Sequence, residues 1–131
     1  MKIEVSFEGK KGVIANINGH IVKTDQSVKD GGDNSAPSPF ELFLAAMSTC
    51  AGIYVKGFCD NRSIPTDKIK LIQSMEYNPA TSLVSKINIE IQVPADFPEK
   101  YYEALIAVAG KCKVKQQMLN PPEVSVTTKV S

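Results

Sequence analysis

Ser38-Pro39-Phe40-Glu41-Leu42-Phe43-Leu44-Ala45-Ala46-Met47-Ser48-Thr49-Cys50-Ala51-Gly52-Ile53-Tyr54-Val55 is the stretch that decides the fold of this 131-residue chain. Its start is marked three times. Ser38 is a good N-cap, because its hydroxyl can accept a bond from a backbone N–H left unpaired at a helix end. Pro39 suits the first helical position, where its missing N–H costs nothing. Glu41 follows the cap by three residues and completes a capping box. These signals predict a helix from Pro39 to about Phe58, ended by Asn61-Arg62-Ser63-Ile64-Pro65. Apolar residues lie on every side of it, and a helix apolar all round is expected to be buried on all faces. The rest of the chain then forms its covering.

Upstream, Ile3, Val5 and Phe7 alternate with Lys2, Glu4 and Ser6, the two-residue period of a half-buried strand. Gly9-Lys10-Lys11-Gly12 reads as a turn and Val13 to Ile17 as a second strand. Asn18-Gly19 is a hairpin signal, since both residues tolerate the positive φ of a type I′ turn, and His20 to Thr24 returns as a third strand. Asp25 to Pro37 is a loop rich in Gly, Ser, Asp and Asn. Its length fits either a functional segment or a plain surface connection.

Downstream, Lys68 to Tyr77 and Leu83 to Val93 make two longer strands around Asn78-Pro79. Ile87, Ile89, Ile91 and Val93 face one way, and Lys86, Asn88, Glu90 and Gln92 the other. Asp96 and Glu99 have the capping-box spacing, so Asp96 is expected to open a helix through Tyr101, Tyr102, Leu105, Ile106 and Ala109, with Gly110 as its C-terminal cap. A short helix from about Lys111 to Leu119 is stopped by Pro121-Pro122. Val124, Val126, Thr128 and Val130 alternate as a final strand. The order βββ-α-ββ-αα-β is an α+β pattern.

The length suits one domain, residues 1–131, with a core that needs no disulfide or metal staple. The net charge is +1 and the only arginine is Arg62, so no nucleic-acid partner is expected. The N-terminus alternates at once and has no signal-peptide core. The uncharged run Leu42 to Val55 is too short to span a bilayer. A cytoplasmic protein with free thiols and no membrane partner follows as the expectation. The chain has no P-loop, dinucleotide fingerprint or nucleophile elbow, so no cofactor is expected. Three scattered cysteines and one histidine without a C-x-x-C make no metal site.

The thiols carry the interest. Cys50 sits within an apolar helix and is either a small core hydrophobe or a shielded reactive group. Cys112 falls near a helix start, where the dipole favours thiolate, and Lys111, Lys113 and Lys115 either push the same way or form a solvated face. Cys59 comes nine residues after Cys50, about half a turn round and about 13 Å further along the axis. Those two cannot bridge while the helix is intact. A thiol pair working within one subunit is therefore better sought in Cys50 and Cys112. Glu41 precedes Cys50 by nine residues. It either only closes the capping box or meets a thiol across an interface. His20, the only histidine, is a surface residue beside a turn unless it pairs with a thiol.

Gly31-Gly32, then Ala36-Pro37-Ser38-Pro39-Phe40-Glu41-Leu42, then Ala45-Ala46 leading to Cys50, resembles the first cysteine helix of the OsmC/Ohr superfamily. Gly110-Lys111-Cys112-Lys113-Val114-Lys115-Gln116-Gln117-Met118-Leu119 resembles its second cysteine segment, closest to the YhfA-like branch. The element order matches along essentially the whole chain. The resemblance implies an α+β, OsmC-like fold, with antiparallel sheets wrapped around a buried central helix in an intertwined homodimer. It implies a thiol peroxidase for organic hydroperoxides, with Cys50 as the peroxidatic thiolate, Cys112 as the resolving thiol and an external dithiol as reductant. Across a two-fold interface Glu41 could approach the other subunit's site. The alternative is a non-enzymatic module of the same fold that binds a small apolar ligand or senses oxidants. The peroxidase branches pair the reactive thiol with an arginine from near the N-terminal strands, held by a glutamate just after the helix-opening proline. Here no arginine precedes Arg62, Phe40 follows Pro39, and the acid comes one place later, at Glu41. Lys23 could offer a point charge instead. Without a guanidinium, burial is expected to raise the pKa of Cys50.

Overall fold

The computed structural model describes residues 1–131. Its elements are β1 (Ile3–Glu8), β2 (Gly12–Ile17), β3 (His20–Thr24), α1 (Pro39–Asp60), β4 (Lys70–Tyr77), β5 (Val84–Gln92), α2 (Tyr102–Ala109) and α3 (Lys113–Leu119), with short 3-10 turns at Val28–Asp30 and Glu99–Tyr101. This is the α+β order expected, without the last strand. The chain resolves into two compact units, residues 1–45 and 46–131.

In the first unit β1, β2 and β3 form an antiparallel meander, with Ile3 opposite Ile17 and Ile17 opposite His20. Asn18 and Gly19 take φ of 52° and 89°, the left-handed pair that a type I′ turn requires. The loop after β3 is nailed down by Asp25, which is 4% exposed. Its carboxylate accepts bonds from the Ser35 hydroxyl (2.6 Å) and from the backbone N–H groups of Gln26 (2.8 Å), Ser35 (3.1 Å) and Asp33 (3.2 Å). These bonds, the Ser35 hydroxyl first, hold its pKa down to about 2. Gly32 has to be glycine here, because a Cβ would strike the Gln26 carbonyl and the Asp25 carboxylate. The helix cap forms as expected: Ser38 Oγ accepts from the Glu41 N–H (3.2 Å), and Glu41 Oε1 accepts from the Ser38 N–H (3.0 Å).

In the second unit α1 presents Met47, Ala51, Val55, Phe58 and Cys59 inward, the spacing of one helical face. Val55, Phe58 and Cys59 pack with Phe97 and with Leu105 of α2 to make the core. The other side of α1 is not covered by its own chain, and Ile53 is 70% exposed. This corrects the expectation of burial all round: apolar composition says that a face avoids water, not which molecule covers it. By length and composition α1 could also cross a membrane, a test that a buried core helix passes as well. Beyond its last residue, Arg62 donates from Nη1 to the Phe58 carbonyl (3.0 Å) and lays its guanidinium 3.7 Å from the Phe58 ring centre.

β4 and β5 pair antiparallel from Lys70 opposite Gln92 to Tyr77 opposite Val84. Their hairpin is held by Asn78, whose Oδ1 accepts from the N–H groups of Ala80 and Thr81. Ile87, Ile89 and Ile91 are half-buried on one face, as expected. Three other expectations change. Asp96 caps no helix: the Phe97 N–H turns back to the Pro94 carbonyl, and helical geometry starts only after Pro98, whose ring disfavours helical backbone at the residue before it. Gly110 does end α2, but in right-handed geometry (φ −70°) rather than the left-handed cap. Residues 120–131 form no strand, and Val124, Val126 and Val130 are 80%, 92% and 96% exposed. A strand exists only by pairing its backbone with another, and this chain offers the segment no partner.

Candidate functional site

Gly110 and Lys111 carry the chain from α2 to Cys112, which is the N-cap of α3 with extended backbone (φ −50°, ψ 131°). A helix start leaves its first N–H groups without intrahelical acceptors. Cys50, on α1, supplies one. Its sulfur is met by the Val114 N–H, the Cys112 thiol and the Lys113 N–H. The Val114 bond contributes most, the Cys112 thiol next, and together with Lys113 they outweigh burial and lower the Cys50 pKa. Cys112 is shifted the other way, first by burial and then by its bond to Cys50. It is 2% exposed, whereas Cys50 is half-buried. The two thiols lie within hydrogen-bonding reach, near the distance at which a disulfide can form.

Two expectations are reversed by this geometry. The helix start was expected to favour thiolate at Cys112, and the Lys115 and Val114 N–H groups do pull its pKa down, but burial and the bond to Cys50 outweigh them. Burial was expected to raise Cys50, but backbone donors replace the missing guanidinium. It is the backbone N–H of Lys113, not its ammonium, that meets the sulfur. The Cys112 thiol also lies 3.8 Å from the Met47 carbonyl. A thiol has one proton to donate.

The remaining candidates have settings of their own. Glu41 is held by Ser38, whose backbone N–H and hydroxyl lower its pKa. Lys23 lies 4.0 Å from Glu8. His20 is exposed at the start of β3. Cys59 is 0% exposed, and burial, then Asp60, raises its thiol. No group of three or more His, Cys, Asp or Glu is placed to hold a metal ion.

Sequence reasoning found both cysteines of the cluster and missed the groups that tune them, Val114 and Lys113. The one available signal was the position of Cys112 at a helix start. It also missed a cavity of about 510 Å³ beside the pair. Met47 and Ala51 of α1, Ile89 of β5 and Ile106 of α2 give it apolar walls, Glu90 and Lys115 add one charge of each sign, and Cys112 lines it. Cys50 does not.

Residues 32–127 match the family model of OsmC-like proteins. No curated protein matches the chain in sequence. Among solved structures, the chain is similar to a Psychrobacter arcticus protein named for an osmotic-stress-induced and detoxification response (18% identity, 89% of this chain and 87% of that one, TM-score 0.75). It is also similar to a hypothetical protein of Aquifex aeolicus (15% identity, 92% and 87%, TM-score 0.71). A third is an organic hydroperoxide resistance protein of Legionella pneumophila (15% identity, 90% and 89%, TM-score 0.54). At these identities the likeness is one of fold.

Proposed function

The chain belongs to the family of OsmC-like proteins, and from that premise we propose that it is a cytoplasmic thiol peroxidase that reduces organic hydroperoxides in defence against oxidative stress. The observation that carries the reading is the Cys50 sulfur held by the Val114 and Lys113 N–H groups with the Cys112 thiol beside it. A thiolate stabilised in this way is the nucleophile that peroxide reduction needs. It attacks the terminal oxygen of the hydroperoxide and the O–O bond breaks. Cys50 becomes a sulfenic acid, and the alkoxide leaves as alcohol after taking up a proton. Cys112 then attacks the sulfenic sulfur, an S–S bond forms and water departs. An external dithiol restores both thiols by exchange. The names of the Legionella and Psychrobacter structures support this class of chemistry.

The working unit in this reading is one OsmC-like domain paired as an intertwined homodimer, nearest the YhfA-like branch through the Gly110–Leu119 segment. The uncovered side of α1 supports the pairing. Glu41 approaches the partner's thiols across the two-fold axis. A second reading is a non-enzymatic module that binds a small apolar ligand or senses oxidants. The cavity favours it, because its walls are apolar and it opens on Cys112 rather than on Cys50.

One assay separates the two. Cumene hydroperoxide consumption with dithiothreitol as reductant is followed for wild type and Cys50→Ser. The peroxidase reading expects turnover by wild type and none by the variant. Equal rates would sink it, and a stable disulfide formed once without turnover would favour the sensor.

A further inference from the structure

We propose that the cavity between α1, β5 and α2 is the entry port for the reductant, so that a small dithiol opens the Cys50–Cys112 disulfide by attacking the sulfur of Cys112. This rests on the reading of Cys50 and Cys112 as a redox pair and adds where and on which sulfur the reduction occurs.

Three observations converge. The first is access. Cys112 is a wall of the cavity and Cys50 is not. A thiolate displaces a disulfide sulfur by approaching from the side opposite the bond it breaks, and the cavity supplies an approach to Cys112. The second is the leaving group. In exchange, the sulfur that departs more easily is the one better stabilised as thiolate. That sulfur is Cys50, which the Val114 and Lys113 N–H groups receive as it is released. Attack on Cys50 would instead expel Cys112, a buried sulfur that disfavours charge. The third is the character of the cavity. At about 510 Å³ with mostly apolar walls it has the size of a small-molecule site. Lys115 and Glu90 bring one cationic and one acidic side chain to its wall. Exposure alone points the other way, since Cys50 is the less buried sulfur. The two expectations therefore name different adducts.

The electron count closes with the dithiol as the only reductant. Its first thiolate bonds to Cys112 Sγ, the Cys50–Cys112 bond breaks, and Cys50 leaves as thiolate. The dithiol's second thiol, losing its proton, attacks its own sulfur in the mixed disulfide. A cyclic disulfide departs, and Cys112 leaves as thiolate and takes up that proton. The dithiol is oxidised by two electrons and the protein disulfide is reduced by two.

The test uses the full chain, oxidised with diamide so that it does not depend on peroxidase activity. The disulfide is opened briefly with 2-mercaptoethanol, which cannot complete the second step, and free thiols are trapped with iodoacetamide. Peptide mass spectrometry is expected to find mercaptoethanol on Cys112 and the alkyl group on Cys50. Mercaptoethanol on Cys50 overturns the proposal while leaving the redox pair intact. A chain that forms no Cys50–Cys112 disulfide with diamide overturns both. In a second arm, Ala109→Phe fills the cavity and is expected to slow reduction by dithiothreitol on the order of tenfold, because a close-packed interior leaves no path to the sulfur. Undiminished reduction in a folded Ala109→Phe protein also overturns it.

Discussion

At the scale of single residues, the chemistry of this chain turns on how the N–H groups at the start of α3 and burial balance at two neighbouring sulfurs. At Cys50 the Val114 and Lys113 N–H groups and the Cys112 thiol outweigh burial and the pKa falls; at Cys112 burial and the bond to Cys50 outweigh the Lys115 and Val114 N–H groups and the pKa rises. The direction fixes the pH behaviour. A thiol whose folded pKa lies below its unfolded value contributes stability above the unfolded value, and that contribution is lost as pH falls through the folded one. Reactivity follows the same titration, since only the thiolate attacks. Alkylation of Cys50 by iodoacetamide is therefore expected to reach half its maximal rate at a lower pH than for an ordinary thiol near 9. Cys112→Ala removes one of the three donors and is expected to move that midpoint upward. Cys112→Ser keeps a donor at the same place and is expected to recover most of the shift. A midpoint that stays put in Cys112→Ala would show that the Cys112 thiol does not support the Cys50 thiolate. Asp25 illustrates the same physics in a structural role, with four donors around one carboxylate holding the loop between β3 and α1.

At the scale of elements, α1 begins where local chemistry tells it to. Ser38 and Glu41 satisfy each other's backbone N–H groups. Ser38→Ala is expected to cost about 1 kcal/mol in urea unfolding with an unchanged slope, the ordinary worth of such a cap. No change in midpoint would mean that the start of α1 is held by packing rather than by its cap. The same capping spacing failed at Asp96 and Glu99, and the contrast is instructive. Pro39 stands directly after its cap, at the first helical position, whereas Pro98 stands two residues after Asp96 and forces the preceding backbone out of the helix. A motif of side chains is read correctly only with the backbone restrictions between its ends.

At the scale of the whole molecule, the apolar surface left bare is the main unexplained quantity. Phe7 of β1 is 84% exposed, Ile53 of α1 70% and Val126 of the C-terminal segment 92%. Apolar area of this kind marks a surface that another molecule covers. The expected cover is a second copy of the chain, with the strand-patterned 124–130 segment finding the backbone partner that it lacks at home. Analytical ultracentrifugation is expected to find wild type at twice the chain mass. In a two-fold pair Ile53 is buried twice, worth about 3–6 kcal/mol in all, so Ile53→Lys is expected to weaken association roughly 10²–10⁴-fold. Wild type sedimenting at the mass of one chain would remove the dimer.

The sequence by itself determined what depends on neighbours along the chain. Strand alternation, the Asn18-Gly19 turn, the cap of α1 and the stop before Pro121 all arise from interactions within a few residues, and all were legible. It also carried the pairing of Cys50 with Cys112, by ruling out Cys59 on helix geometry and by resemblance. Tertiary structure alone decided which thiol is the acidic one, because that depends on where the N–H groups of Val114 and Lys113 point, and backbone donors have no letter in a sequence. It likewise decided the cavity, the role of Asp25 and the fate of residues 124–130, since a cavity, a buried carboxylate and a strand each exist only through partners distant in the chain.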